Sequence, residues 1–440
     1  MRPLDREILA IAGPAIITNV TTPLLALMDV AIVGHMGDAT YIAAIAVGGT
    51  VFNMIYWLFA FLRMGISGLS AQANGSGCRR ELDLVLERGL LVSLLAGLAI
   101  LMLYYPIELL SFGLMEADGL TGELARSYYR ILVWGAPAVL ATYTFSGWAL
   151  GCKNSRTPMW VAFIINVSNV LISLVLVYVF HLRIEGVACG TLASQWIGAV
   201  VFAIIIVRRY HPQWHGLRAI ADRVELSRYF KVNTDIFLRT CCLVAVTVWF
   251  TRCGSSQGTL ILAVNTLLMQ FFMFFSYFMD GFAFAGESLC GNALGRHDTT
   301  TLRLTARALL QWGTAVAALF TVVYFLAGDL IVSLLSDERG IVDAASEFLG
   351  WVVVIPAAGF MAFTWDGVFI GITHTRQMLM SMIFSSVIYF AAYLILFPLL
   401  GNHGLWIAFL LYLLARGIYL HFVSRRVFAS FGVSDPCGSR

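Results

Sequence analysis

Twelve stretches of this chain are each long and apolar enough to cross a bilayer, which removes most of the folds otherwise open to it. A spanning helix needs about 20 mostly apolar residues, because the hydrocarbon core is about 30 Å thick and a helix rises 1.5 Å per residue. The runs lie near 8–36, 41–70, 84–105, 127–151, 157–180, 186–207, 229–253, 258–290, 305–327, 348–372, 377–400 and 404–424. They far exceed the alternating segments of about 10 residues that a lipid-facing β-barrel would show. Only 12% of residues are charged and 60% are hydrophobic, against about 25% charged in soluble domains. That is too little polar surface to coat a water-soluble globule. The expected class is an all-α integral membrane protein with twelve transmembrane helices. The first run follows basic residues, as in a signal peptide. It continues past Asp29 to Gly34 without a small-residue cleavage site, so it is expected to stay as the first helix.

Charge placement orients the runs. Basic residues fall in alternate connections: Arg2 and Arg6, then Arg79, Arg80 and Arg88, then Lys153 and Arg156. The series continues through Arg208 to Arg228, Arg296 to Arg307, Arg376, and Arg425 with Arg426. The opposite connections are acidic, holding Asp38, Glu108, Glu116, Asp118, Glu123, Asp329, Asp337, Glu338, Asp343 and Glu347. The excess of Lys and Arg in cytoplasmic loops places the basic set and both termini in the cytoplasm. The longest basic connection, RRYHPQWHGLRAIADRVELSR, sits at the midpoint and reads as a linker. A basic inside loop is the ordinary expectation, so no nucleic-acid partner is inferred. The expected organisation is a first half over 1–207, a cytoplasmic linker over 208–228, a second half over 229–427 and a cytoplasmic tail over 428–440.

The halves repeat. SGWALGCKNSR (Ser146 to Arg156) matches DGVFIGITHTR (Asp366 to Arg376), aligning Gly147 with Gly367, Gly151 with Gly371 and Arg156 with Arg376. SAQANGSG, around Gly75, answers LCGNALG, which ends at Gly295. Six spans per half is an even number, so both halves enter from the same side and form parallel repeats. In such transporters the substrate site tends to lie between the halves, with access alternating as one rocks against the other.

A charge at the bilayer centre costs about 2.5–3.5 kcal/mol on insertion scales, so intramembrane charges need a partner, a wet cavity or neutralisation. Asp29 lies inside the first run, where desolvation favours its neutral, protonated form. A structural cap near the interface is the plainer reading. The fifth run carries Asn166, Asn169 and Ser173 on one stripe, which Thr191 on the sixth can join and Gln195 extends. This set suits a proton or cation site, or serves as hydrogen-bonded glue between helices. In the second half, Asp235 and Arg239 are spaced to pair with each other along one helix, while Asp280 and Glu287 share a face two turns apart. Asp366 occupies the repeat position of Ser146, and Arg63 and Arg416 are candidate counter-charges. Asp235, Arg239, Asp280, Glu287 and Asp366 therefore form a second candidate site, for substrate or coupling. The run MQFFMFFSYFMDGFAF offers adaptable apolar surface for a cavity, or plain packing against lipid and neighbouring helices. Pro14 and Pro23 mark kink positions in the first run.

Enzyme chemistry finds no foothold. The sequence has no HExxH motif and no P-loop. Its eight cysteines lack a CxxC pair and sit mostly in apolar runs, as core filler. No catalytic residue, metal site or cofactor is expected, and nothing argues for an oligomer, so a monomer is expected.

Taken together, GPAIITNVTTPLLALMDVAIVGHMG, LRMGISGLSAQANGSG, APAVLATYTFSGWALGCKNSRTP, NVSNVLISLVL, EGVACGTLASQ, MDGFAFAGESLCGNALGRHD and WDGVFIGITHTR resemble the MATE (multidrug and toxic compound extrusion) transporters, in their DinF-like branch. The resemblance covers nearly the whole chain. It implies two six-helix lobes in a V, a bacterial inner-membrane setting, and efflux of cationic, lipophilic small molecules driven by inward H⁺ or Na⁺. By this resemblance Asp29 is the carboxylate of the first-lobe cation site, with Asn169 and Thr191 around it. The chain departs from the family pattern at Ser173, where relatives carry a second carboxylate, and at Leu25, where some carry a tyrosine. Sodium usually wants five or six oxygens with negative charge among them, so protons are the expected coupling ion and sodium the alternative. A flippase of lipid-linked precursors is the nearest rival. It would show a basic cavity for pyrophosphate, whereas the intramembrane balance here is acidic.

Overall fold

In the computed structural model, residues 2–34, 39–115, 119–220, 222–336 and 338–431 are described. Asp38, Glu116, Asp118, Asp337 and the last nine residues of the tail lie outside them, as does the side chain of Leu25. The helices are α1 (Pro3–Gly34), α2 (Ala39–Leu58), α3 (Phe61–Gly75), α4 (Arg79–Met102), α5 (Tyr104–Leu114), α6 (Gly119–Leu132), α7 (Ala136–Gly151) and α8 (Arg156–Leu174). They continue with α9 (Ile184–Tyr210), α10 (Leu217–Ile220), α11 (Arg223–Ser256), α12 (Thr259–Gly295), α13 (Thr299–Leu335), α14 (Arg339–Gly371), α15 (Thr375–Leu400) and α16 (Asn402–Ser430). No strand occurs among the described residues.

Among the described residues, eleven helical stretches are long and apolar enough to cross a membrane, α2 and α3 counting together as Thr40–Gly75. The remaining expected run is α6 and α7, divided by a 3₁₀ turn at Val133–Gly135. The protein is thus an all-α membrane protein whose spans match the twelve apolar runs. Several helices outrun their apolar cores. α11 starts at Arg223 and α9 ends at Tyr210, so both ends of the expected 208–228 linker are helical. Hydropathy sees only the part of a helix inside lipid, not the turns that project into water.

The chain divides into two compact units, Ile17–Tyr229 and Met1–Ile16 with Phe230–Arg440. The start of α1 therefore packs with the second half of the sequence. There Trp312 donates from Nε1 to Asp5 at 3.2 Å, and Gly281 leaves room for the Ile16 side chain and the Ala12 carbonyl. Pro14 and Pro23 do not interrupt α1. Within the second unit the Met/Phe run of α12 splits by helix face. Phe271, Phe275 and Met279 are buried in the core with Phe320, Phe363 and Trp406. Met273 and Phe274 face outward, which favours packing over a cavity lining.

The repeat is visible in the backbone. Gly147 packs against the Arg63 carbonyl and Gly367, 220 residues on, packs against the Ala283 carbonyl. A Cβ at either glycine would collide with that main chain, which sets how closely α7 can approach α3 and α14 can approach α12. The turns repeat too. Gly77 and His297 adopt positive φ of 71° and 58°, and Lys153 and Thr373 adopt 60° and 53°. One detail differs. At the start of α13, Asp298 caps the helix by accepting from Thr301 N at 2.9 Å. Cys78 at the same place before α4 makes no side-chain cap.

Candidate ion and substrate sites

The first unit builds its site from α1, α6, α8 and α9. Spacings of three and four residues put Asn166, Asn169 and Ser173 on one stripe of α8. Asn169 and Ser173 are fully buried. Asn166 is half-buried and donates from Nδ2 to the Thr21 carbonyl of α1 at 3.3 Å, close to Pro23. Asn169 Nδ2 donates to Thr191 Oγ1 at 2.8 Å. Thr191 Oγ1 in turn lies 3.3 Å from Asp29 Oδ2 and 3.0 Å from the Val187 carbonyl. Asp29 is 4% exposed and also receives a side-chain hydrogen bond from Asn169. Ser173 lies against Gly190, where any Cβ would strike its hydroxyl. Asp29, Asn169 and Thr191 thus share one hydrogen-bonded cluster, Asn166 instead ties α8 to α1 at Thr21, and Gln195 continues the α9 face as far as Gly135.

Sequence reasoning missed Tyr128. It is buried on α6, its hydroxyl engages Thr191, and the Asp29 carboxylate acts on it electrostatically. The available signal was that a buried phenol needs a polar partner, but its partner lies on α9, far along the chain.

The hydrogen-bond balance around Asp29 is lopsided. Its described partners, Thr191 and Asn169, are neutral. Asp29 Oδ1, Asn169 Oδ1 and Ser173 Oγ are all buried without a hydrogen-bond partner. Asp29 Oδ1 and Asn169 Oδ1 are thus acceptors without a donor, while the Ser173 hydroxyl lacks a partner of either kind.

The second unit builds a different cluster from α11, α12, α14 and α16. Arg239 and Arg416 both give an Nη2–H to the same oxygen, Oδ2, of Asp366. Arg416 also stands over the Phe363 ring, 5.8 Å from its centroid. Asp280 and Glu287 act electrostatically on Arg239, and Asp280 acts on Arg416. Glu287 is fully buried and Asp280 half-buried. Here one expectation is corrected. Asp235 and Arg239 do not form the intrahelical pair their spacing allows. Arg239 turns to Asp366, and Asp235 accepts from the Thr375 hydroxyl at 2.8 Å. The stronger field of a buried carboxylate on a neighbouring helix outweighs a bridge along one helix, which is worth only a few tenths of a kcal/mol. Arg416 does serve as a counter-charge. Among the described residues no group of His, Cys, Asp and Glu side chains could hold a metal ion.

A duplicated helical fold with polar clusters buried inside each unit is the architecture of parallel-repeat membrane transporters. The MatE family model matches residues 14–179 and 236–394, once in each half. The chain belongs to the MatE family, and is a multi-pass membrane transporter rather than an enzyme. It is 35% identical to DNA damage-inducible protein F of Escherichia coli K12, over 96% of this chain and 92% of that protein. It is 23% identical to multidrug resistance protein MdtK of Edwardsiella ictaluri, over 94% of each chain. Among solved structures, an outward-facing multidrug resistance MATE family transporter of the MOP superfamily matches with a TM-score of 0.86 at 21% identity, over 98% of this chain and 97% of that one.

Proposed function

We propose that this protein is a secondary antiporter that exports cationic, lipophilic small molecules by alternating access, driven by inward H⁺ flow through Asp29. The observation that carries this reading is the donor deficit around Asp29. Protonation of the carboxyl supplies a donor to a cluster in which Asp29 Oδ1 and Asn169 Oδ1 have none. Loss of the proton leaves a buried charge held, among the described residues, by the neutral Thr191 and Asn169, which favours a wetter site. Thr191 can report the change, because its single hydroxyl hydrogen has two acceptors. It goes to Asp29 when the carboxylate is charged and to the Val187 carbonyl when it is neutral. α1, α8 and α9 thereby share the protonation state of one group. The half-buried Asp280 of the second unit is a carboxylate that an entering organic cation can approach, with Glu287 behind it on the same face.

The kinship to a multidrug resistance protein supports the substrate class. The bacterial relatives support a plasma-membrane setting, with both termini in the cytoplasm by the charge rule. The protein works as a monomer among membrane lipids, with no cofactor beyond the coupling ion. The same acceptor-rich pocket favours a second reading, a sodium ion in place of the proton. Ser173 weighs against it, since the pocket offers one carboxylate where a sodium site with real negative charge would want more.

Reconstitution in proteoliposomes, with a proton gradient and a sodium gradient imposed separately, tests the reading. Efflux of a cationic dye is expected under the proton gradient. Efflux under sodium alone, with pH equal on both sides, would establish the second reading instead.

A further inference from the structure

The two buried clusters have opposite hydrogen-bond balances. Around Asp29, acceptors lack donors. Around Asp366, donors lack acceptors: both guanidinium groups converge on Oδ2, and the Nε–H of Arg239 and of Arg416 are buried with no acceptor. Both arginines are buried, Arg239 7% exposed and Arg416 3%. A cation placed at Asp366 would lie beside two fixed positive charges. The charged groups around this carboxylate come from three helices: Arg239 from α11, Asp280 and Glu287 from α12, and Arg416 from α16. Asp235, also on α11, is held by Thr375 of α15.

We propose that Arg239 and Arg416 act as built-in cations. Their guanidinium groups fill the place at Asp366 that a coupling ion would take, so the second unit binds none. Asp366 stays a permanent carboxylate through the cycle, and the only exchangeable coupling charge is on Asp29. Arg239 and Arg416 are in this sense ion-excluding residues, which make transport single-site. The inference rests on the reading of Asp29 as the coupling group, but its first test does not.

That test is infrared difference spectroscopy of the purified full-length protein across pH, in sodium-free buffer, following the carboxylic-acid C=O stretch. The expected result is a titrating band in the wild type that is lost in Asp29→Asn. The band should be kept in the charge-neutral triple variant Arg239→Gln, Arg416→Gln, Asp366→Asn. The double variant Arg239→Gln, Arg416→Gln leaves Asp366 without its partners and should gain a second band. Should that double variant fail to fold, the triple variant still decides, because it carries no unpaired charge. A wild-type band that disappears in the triple variant overturns the proposal, and so does a folded double variant with no new band. The second measurement is the proton-to-substrate ratio from the reversal of wild-type transport, expected to be one. A ratio of two that falls to one in the triple variant overturns it as well. Loss of proton-driven efflux altogether would instead refute the proposed coupling reading, with the infrared result on Asp366 unaffected.

Discussion

Asp29 and Asp366 are both carboxylates inside membrane-spanning helices, 4% and 6% exposed, yet the structure treats them in opposite ways. Asp29 is surrounded by neutral amides and hydroxyls, and the bare acceptors beside it leave room for a proton. Asp366 is claimed by two guanidinium groups and has no such need. Burial alone therefore does not make a carboxylate a coupling site. What decides is whether the stabilising charge is fixed in the protein or has to arrive from solution. A fixed partner makes the group structural, because removing either member strands the other in low dielectric. A missing partner makes the group responsive.

This contrast can be broken at its strongest point with Asp29→Asn. The amide keeps the shape and supplies the missing donor permanently, so coupled efflux should be abolished while expression and folding are retained. Wild-type dye efflux from that variant would end the comparison. Asp366→Asn should behave in the reverse manner. It leaves two buried arginines without their acceptor, and breaking a buried pair in this way costs about 3–5 kcal/mol. Thermal unfolding in detergent should show a large loss of stability, and an unchanged melting profile would mean that the guanidinium pair is not held by Asp366.

Thr191→Val removes the hydroxyl that links Asn169 to Asp29 without changing the side chain's size. Efflux should fall and its pH dependence should shift, since the charged form of Asp29 loses a donor; an unaltered pH profile would show that the bond is incidental. A smaller effect is expected from Asp280→Ala and Glu287→Ala, each lowering export of a cationic dye. If both variants export at the wild-type rate, these carboxylates only balance Arg239 and Arg416.

The smallest prediction compares the two halves at one repeat position. Hydrogen bonds from Thr301 hold the Asp298 carboxyl below its ordinary range. Its capping contribution is therefore present above the unfolded carboxylate range and lost as pH falls through the folded value. Asp298→Ala should cost about 1 kcal/mol, as cap deletions do, and the difference from wild type should vanish in acid. Cys78→Asp, at the uncapped equivalent, should stabilise α4 by a similar amount, read by hydrogen exchange at its first turn.

The number of spans, the doubling of the chain, and the identity of the costly charges were legible without coordinates, because each depends on local properties. An apolar run of about 20 residues must be a spanning helix, and the repeat of Gly147 and Gly151 at Gly367 and Gly371 follows from main chains that pass too closely for a Cβ. The stripe of Asn169 and Ser173 could likewise be read from helical spacing. Partner choice could not. Arg239 lies four residues from Asp235 but pairs with Asp366, 127 residues away. Tyr128 reaches Thr191 from another helix, and the first turns of α1 pack with the opposite half of the chain. Sequence spacing fixes which face of a helix a side chain occupies. Which helix that face meets, and so whether a buried charge finds a fixed partner or a vacant acceptor, is set by the rotation and packing of helices far apart along the chain.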